Sequence, residues 1–242
     1  MKTKGVEIIL ENNDFIALNK AAGMLTIPDR HDDTQLSLYK YLQQEHEKIF
    51  IVHRLDRDTS GLVLFAKNEE THKHLSQLFE QRKIEKFYLG IIHGSLGIKE
   101  GSITEAIAEH PFQKGVMTVN KKGKASTTDY RVLEEYGIYS LVQFQIHSGR
   151  THQIRVHMKF AGRPIICDPL YGDGKPILLS SFKKKYKLSQ HDEEERPIMN
   201  RLALHSQKLN FRDLRGNDHA IEAPLPKDMK AFLQQLRKNR KS

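Results

Sequence analysis

A mixed α+β fold is predicted by three features of the 242-residue sequence. Apolar runs of strand length interleave irregularly with amphipathic stretches of helical length, unlike the regular alternation of a doubly wound sheet. The run Gly61-Leu62-Val63-Leu64-Phe65-Ala66 is continuously apolar and too short for a helix, so it reads as a strand buried on both faces. No repeat period and no low-complexity linker divides the chain, and one domain over residues 1–242 is expected.

The elements follow in order. Val6 to Leu10 and Phe15 to Leu18 are short apolar runs joined by Glu11-Asn12-Asn13-Asp14, whose residue types suit the turn of a hairpin. Leu38, Tyr41 and Leu42 fall at helical spacing, predicting a helix from Asp33 to about Glu47 capped by Asp33 or Thr34. Ile49-Phe50-Ile51-Val52 reads as a strand leading into His53. A helix from Glu69 to about Arg82 places Leu75, Leu78 and Phe79 on one side, and Phe87 to Ile92 is the next strand. Residues 95–126 read as basic loops around the short strand Val116 to Val119. From Leu141 to His147, Val142, Phe144 and Ile146 alternate with Gln143, Gln145 and His147, so one face is buried and the other is wet. Ile154, Met158 and Ala161 predict a helix from Thr151 to about Phe160, with Thr151 or Ser148 as cap. Residues 173–200 carry the basic run Lys183-Lys184-Lys185-Tyr186-Lys187 and the acidic run Asp192-Glu193-Glu194-Glu195, and read as a surface insertion. Pro224 and Pro226 precede a last amphipathic helix with Met229, Phe232, Leu233 and Leu236.

Lys and Arg number 39 against 30 Asp and Glu, a net charge of +9, which favours an anionic partner. No apolar run approaches the ~20 residues of a membrane-spanning helix, and the first residues lack a secretory apolar stretch, so no membrane partner and a cytoplasmic location are expected. The one cysteine, Cys167, excludes an internal disulfide and a zinc site built on several thiolates. Between Ile165, Ile166 and Pro169 it reads as a small buried hydrophobe.

Two segments concentrate polar chemistry. In His53-Arg54-Leu55-Asp56-Arg57-Asp58-Thr59-Ser60-Gly61, a carboxylate beside arginine would stay ionised and suit a nucleophile, while Asp58, Thr59 and Ser60 equally suit a turn before a buried strand. In His147-Ser148-Gly149-Arg150-Thr151-His152-Gln153-Ile154-Arg155-Val156-His157, a helix N-terminus with arginines could gather an anion or form a solvated face. Sharper motifs fail. The first segment matches a kinase catalytic loop only loosely, Gly123-Lys124 lacks the spacing of a phosphate-binding loop, and no Gly-x-Ser-x-Gly elbow occurs. His147, His152 and His157 stand five apart and leave a shared helical face, which disfavours a metal triad. Neither metal nor nucleotide or redox cofactor is expected.

The first segment, through Leu62, resembles the catalytic motif of the RluA-type pseudouridine synthases, and Gly149 to His157 resembles their second signature. Asn19-Lys20-Ala21-Ala22-Gly23, Lys86-Phe87-Tyr88, Gly123-Lys124-Ala125, Asp168-Pro169-Leu170-Tyr171-Gly172, Leu204-His205 and Glu222-Ala223-Pro224-Leu225-Pro226 stand in the family's order. The resemblance spans about Val6 to Pro226. It implies a mostly antiparallel central sheet with flanking helices and a catalytic cleft across its middle. It implies isomerisation of specific uridines in structured transfer or ribosomal RNA, with Asp56 as nucleophile, Tyr88 stacked on the base and helping to remove the C5 proton, and Arg155 paired with Asp56. Arg54 fills the gap left by the flipped nucleotide and Leu204 closes the pocket, with His53, Thr59 and Gln153 also assigned to substrate contact. Lys121, Lys122 and Lys124 are expected to hold the RNA backbone. A monomer is expected, without the separate RNA-binding domain that often precedes the catalytic one in this family. A non-catalytic RNA-binding protein and a carboxylate-dependent nucleoside hydrolase are the competing classes, the second weakened by the lack of another carboxylate placed to activate water.

Overall fold

In the computed structural model, which describes residues 6–29, 32, 34–183, 186–188 and 194–239, the first apolar runs pair as the hairpin β1 (Val6–Glu11) and β2 (Phe15–Lys20). A helix α1 (Leu38–Glu45) and a two-residue strand β3 (Phe50–Ile51) follow, then the wholly buried β4 (Ser60–Ala66) and α2 (Glu69–Glu80). The chain continues through β5 (Glu85–His93), β6 (Glu100–Thr104), the small hairpin β7 (Ile107–Glu109) and β8 (Met117–Val119), β9 (Thr127–Glu135) and β10 (Tyr139–Ile146). It closes with α3 (Gln153–Phe160), β11 (Leu204–Arg212), β12 (Asp218–Glu222) and α4 (Lys227–Asn239). The main sheet runs β1-β2-β4-β11-β5-β10-β9-β6, with β3 beside β4 and β12 beside β11. All its ladders are antiparallel except the two-residue contact of β11 with β4.

Alternation along the central strands explains the two-sided core. Ile16, Leu18, Val63 and Phe65 join one cluster with Leu38 and Leu42 of α1, Ile154 and Met158 of α3, and Met229, Phe232, Leu233 and Leu236 of α4. Phe15, Ala17, Leu62 and Leu64 point the other way and pack with Leu75 of α2. Between β4 and β5 the inserted β11 comes so close that a Cβ on Gly61 would lie 2.1 Å from the Ser206 carbonyl oxygen. With φ at +115° as well, position 61 admits glycine alone. This is where the loop of residues 53–59 enters the sheet.

Several boundaries differ from expectation. Helix α1 starts at Leu38 rather than near Asp33, because the Leu38 and Tyr39 amides bond the carbonyls of Leu25 and Thr26 at 2.9 and 3.1 Å. Its cap is Ser37, whose Oγ accepts from the Lys40 amide at 3.2 Å; Asp33 lies outside the described residues. Helix α3 starts at Gln153 after His152 in the left-handed region, with neither Thr151 nor Ser148 as cap. Residues 95–126, read as loops around one strand, also contain β6 and β7. In β6 only Gly101 and Ile103 turn inward, so its alternation carries little apolar signal. The two ends of the 173–200 segment meet through Ile177 and Met199, whose N–H···O bond is 2.7 Å, and both side chains are buried. Phe182 packs edge-on against Tyr139 and Phe232. Lys184, Lys185, Asp192 and Glu193 lie outside the described residues.

The β4–β11 contact carries a pH signature. His205 is fully buried, its Nδ1 3.0 Å from Ser60 Oγ, and burial pulls its pKa down to about 4. The folded protein therefore refuses a proton that the unfolded chain takes up near the usual histidine value of about 6.5. Stability from this group is complete above about pH 6.5 and is lost as pH falls towards about 4, at up to about 1.4 kcal/mol per pH unit. Urea unfolding at about pH 7 and about pH 5 is expected to show that loss in the wild type and a smaller one in His205→Gln. Equal losses in both proteins would place the acid sensitivity elsewhere.

Candidate active site

The loop before β4 is anchored from below by a lysine at the end of an apolar strand. Lys20 is fully buried and its Nζ donates to the carbonyls of Ala21, Met24 and Arg57 at 3.0, 2.8 and 2.9 Å. Burial draws its pKa down to about 7, against the charges of Asp56 and Asp58, which favour the ammonium. Thr26 adds a second anchor, since its Oγ1 accepts from the Leu55 amide and donates to the Leu55 carbonyl, both at 3.1 Å. The Thr59 amide then closes a turn onto the Asp56 carbonyl at 3.2 Å. With its backbone fixed at both sides, Asp56 presents a half-buried carboxylate that accepts no hydrogen bond from any described residue.

That carboxylate faces a cleft across the middle of the sheet. Tyr88 of β5, Leu204 at the start of β11, Ile146 at the end of β10 and residues 149–155 line it, with Arg54 exposed at its mouth. The Tyr88 hydroxyl is pushed well above the usual phenol range by burial and by the Asp56 charge, so Tyr88 is a neutral phenol. Thr59 also lines the cleft, and its buried Oγ1 has no partner among the described residues.

Arg155 departs from the expected pairing. It lines the cleft at 1% exposure, yet its guanidinium is bound bidentately to Asp168, Nε to Oδ2 at 2.8 Å and Nη2 to Oδ1 at 2.7 Å. Its charge reaches Asp56 without a direct ion pair. The planar fork takes the carboxylate that matches it in a dry setting, and Asp168 is pre-shaped for this by the Leu170 and Tyr171 amides on Oδ1. Tyr171 adds its ring face, 5.0 Å from the guanidinium.

Two further residues assigned to substrate contact take partners within the protein. His53 turns away from the cleft, stacks on Phe79 at 4.5 Å and accepts the Leu64 amide on Nε2 at 2.9 Å; burial keeps it neutral. Gln153 lines the cleft, but its amide is committed to the protein. Its Nε2 donates to the Thr127 carbonyl and Thr128 Oγ1, and its Oε1 accepts from Ser148 Oγ and the Arg150 amide. Through these bonds it shapes residues 148–150. Lys122 and Lys124 line an adjoining depression with residues 149–151, and Lys121 is exposed on the same turn. Sequence reasoning passed over Lys20, His152, Asp168 and Tyr171 as individual site residues. A lysine closing the strand Phe15-Ile16-Ala17-Leu18 was the one signal available for Lys20. Among the described residues no group of three or more histidine, cysteine, aspartate or glutamate side chains is arranged to hold a metal ion.

The cleft thus brings together the Asp56 carboxylate, the Tyr88 ring and the exposed Arg54 at the middle of the sheet. The family model of RNA pseudouridylate synthase matches residues 14–160. An RNA pseudouridine synthase of Bacillus subtilis (strain 168), YlyB, described as uncharacterized, is 33% identical over 97% of this chain and 74% of its own. The ribosomal large subunit pseudouridine synthase D of Buchnera aphidicola subsp. Schizaphis graminum (strain Sg) is 35% identical over 95% and 73%. The human RNA pseudouridylate synthase domain containing 4 shares the fold, with a TM-score of 0.72 at 22% identity over 95% of this chain and 92% of that one. The chain belongs to the RNA pseudouridylate synthase family, in its RluA-type branch, and is an isomerase acting on RNA. No helix among the described residues is long and apolar enough to cross a membrane.

Proposed function

We propose that the protein converts one or a few uridines of structured RNA to pseudouridine, with Asp56 as the nucleophile. The observation that carries this is the Asp56 carboxylate itself, held by an anchored backbone, free of hydrogen bonds from described residues, and open to the cleft between Tyr88 and Leu204. Bond making and breaking stay within one nucleoside. The N1–C1′ bond breaks as Asp56 assists at the sugar or base, the uracil turns, C5–C1′ forms, and the C5 proton is lost while N1 gains one. Tyr88 enters as a phenol and stacks on the base, an interaction worth about 1–3 kcal/mol that offsets part of the few kcal/mol of base extrusion. Because that phenol holds its proton, Asp56 is the better-placed acceptor for the C5 hydrogen. Arg54, at the mouth, refills the stack and meets phosphates, and Leu204 closes the apolar side. The Arg155–Asp168 pair fixes the charge behind Asp56.

The relatives named for the large ribosomal subunit make ribosomal RNA the first substrate to examine, with transfer RNA second. Mapping pseudouridines in bulk RNA from a strain lacking this protein is expected to show loss at one or a few positions. An unchanged map would remove the proposal.

With a net charge of +9, binding releases counterions and weakens with salt. Lys121, Lys122 and Lys124 are exposed beside the cleft. Changing all three to Glu is expected to lower affinity and flatten the plot of log affinity against log salt by roughly 2 in slope. An unchanged slope would make them a solvated face.

A further inference from the structure

Among the described residues, three that are not glycine hold a positive φ, and two of them, His152 at 56° and Cys167 at 56°, stand shortly before the two partners of the Arg155–Asp168 pair in the chain. A left-handed histidine is strained and persists where its surroundings hold it. The hold on His152 is visible. Its Nδ1 lies 2.8 Å from the Tyr171 hydroxyl, and the rings meet edge-on at 5.4 Å. The same hydroxyl oxygen accepts the Met117 amide of β8 at 2.8 Å. The Tyr171 hydroxyl has one hydrogen to give, and in the tautomer proposed below it goes to His152 Nδ1 while the oxygen keeps the Met117 N–H. Nδ1 is then an acceptor, and the imidazole proton sits on Nε2. Nε2 has no hydrogen-bond partner among the described residues. His152 lines both the catalytic cleft and the neighbouring depression formed by residues 25–29 and 54–57.

We infer that His152 is a substrate-contacting residue, whose Nε2–H donates a hydrogen bond to an acceptor oxygen of the target nucleotide, and that Tyr171 is the positioning residue that fixes its tautomer. The inference rests on the functional reading above and adds a donor that no motif assigned. The groups around the imidazole are Asp56 and Asp58 from the loop, Arg155 from α3, and Asp168 and Tyr171 from the following turn. Burial outweighs the carboxylates and keeps His152 below the usual histidine range, so it offers a neutral donor. A neutral donor suits a site whose nucleophile is a carboxylate, because it leaves the Asp56 charge unneutralised. The chain Met117 N–H to Tyr171 O–H to His152 also ties the donor to the β7–β8 hairpin, which packs on α3 through Ile107, Val156 and Tyr171.

The test compares His152→Asn, His152→Gln and Tyr171→Phe in the full chain, on a target RNA that the wild type converts. Asn tolerates the left-handed backbone and can still accept from Tyr171, but it is too short to replace Nε2. Gln carries an amide N–H at the reach of Nε2. His152→Asn is expected to lower single-turnover pseudouridine formation by about tenfold to hundredfold, with RNA Kd within about threefold of wild type. His152→Gln is expected to recover most of that loss. Tyr171→Phe keeps the ring and its contact with Arg155 but releases the tautomer, giving an intermediate rate. Nitrogen-15 NMR of the imidazole is expected to show Nε2–H in the wild type and a tautomer mixture in Tyr171→Phe. A wild-type rate in a folded His152→Asn, or an Nδ1–H imidazole in the wild type, would overturn the inference. Absence of pseudouridine with the wild type on every RNA tried would instead defeat the functional reading, and the NMR result would then decide the tautomer alone.

Discussion

Asp56→Asn is expected to abolish pseudouridine formation, by about a thousandfold or more, while leaving RNA affinity within about tenfold of wild type, or about 1.4 kcal/mol. The substitution preserves size and removes the charge, exchanging one acceptor oxygen for an amide NH2. The backbone of the loop does not depend on that side chain, since Lys20 Nζ holds the Arg57 carbonyl and Thr26 holds both polar groups of Leu55. The folded variant should therefore present an amide to the same cleft. Release of tritium from C5-labelled uridine in RNA reads the chemistry, and filter binding reads affinity. Retained binding with lost release separates an isomerase from a binding protein, which would release nothing in the wild type either. Free uracil from the wild type would indicate a hydrolase. A mutant that releases tritium at the wild-type rate would return Asp56 to the status of a turn residue.

Asp168→Asn is expected to destabilise the fold by about 3–5 kcal/mol, because it leaves the Arg155 guanidinium buried without its counter-charge. Asp168 is wholly buried, so water does not replace it. Urea unfolding measures the loss. The pair also sits at the site: Arg155 lines the cleft, and Tyr171, whose ring faces the guanidinium, bonds His152. Stability and activity are separated by the double substitution Arg155→Met with Asp168→Leu. Replacing both charges by apolar groups of similar volume is expected to restore part of the stability, short of the contribution of the Leu170 and Tyr171 amides that lose their acceptor, and turnover is expected to remain low. If Asp168→Asn unfolds at the wild-type urea concentration, the pair is not what seats α3. If the double variant turns over normally, the charge behind Asp56 has no part in the reaction.

Much of the fold was legible because its signals are local. The run from Gly61 to Ala66, the period of α2 and the alternation in β10 each declare themselves within one element, and β4, α2 and β10 formed at those places. Strands whose inward residues are few, such as β6 and β9, gave little to read. Helix starts were misplaced where a distant backbone decided them: α1 begins where residues 25 and 26 supply carbonyls, and α3 begins where His152 takes a left-handed turn.

By itself, the sequence determined the α+β class, the positions of β2, β4, β5 and β10 and the loop that carries Asp56, since residue order and hydropathy period are properties of the chain alone, whereas β11, inserted between β4 and β5, was not read from it. Tertiary structure decided which partner each polar side chain took. Arg155, expected on Asp56, chose Asp168, thirteen residues along and wholly buried. His53 turned inward to Phe79 and the Leu64 amide, Gln153 spent its amide on β9 and the 148–150 turn, and His152 met a phenol nineteen residues away. The reason is desolvation: a buried polar group must find the acceptor or donor that converging elements bring within reach, and that convergence is not written at either position.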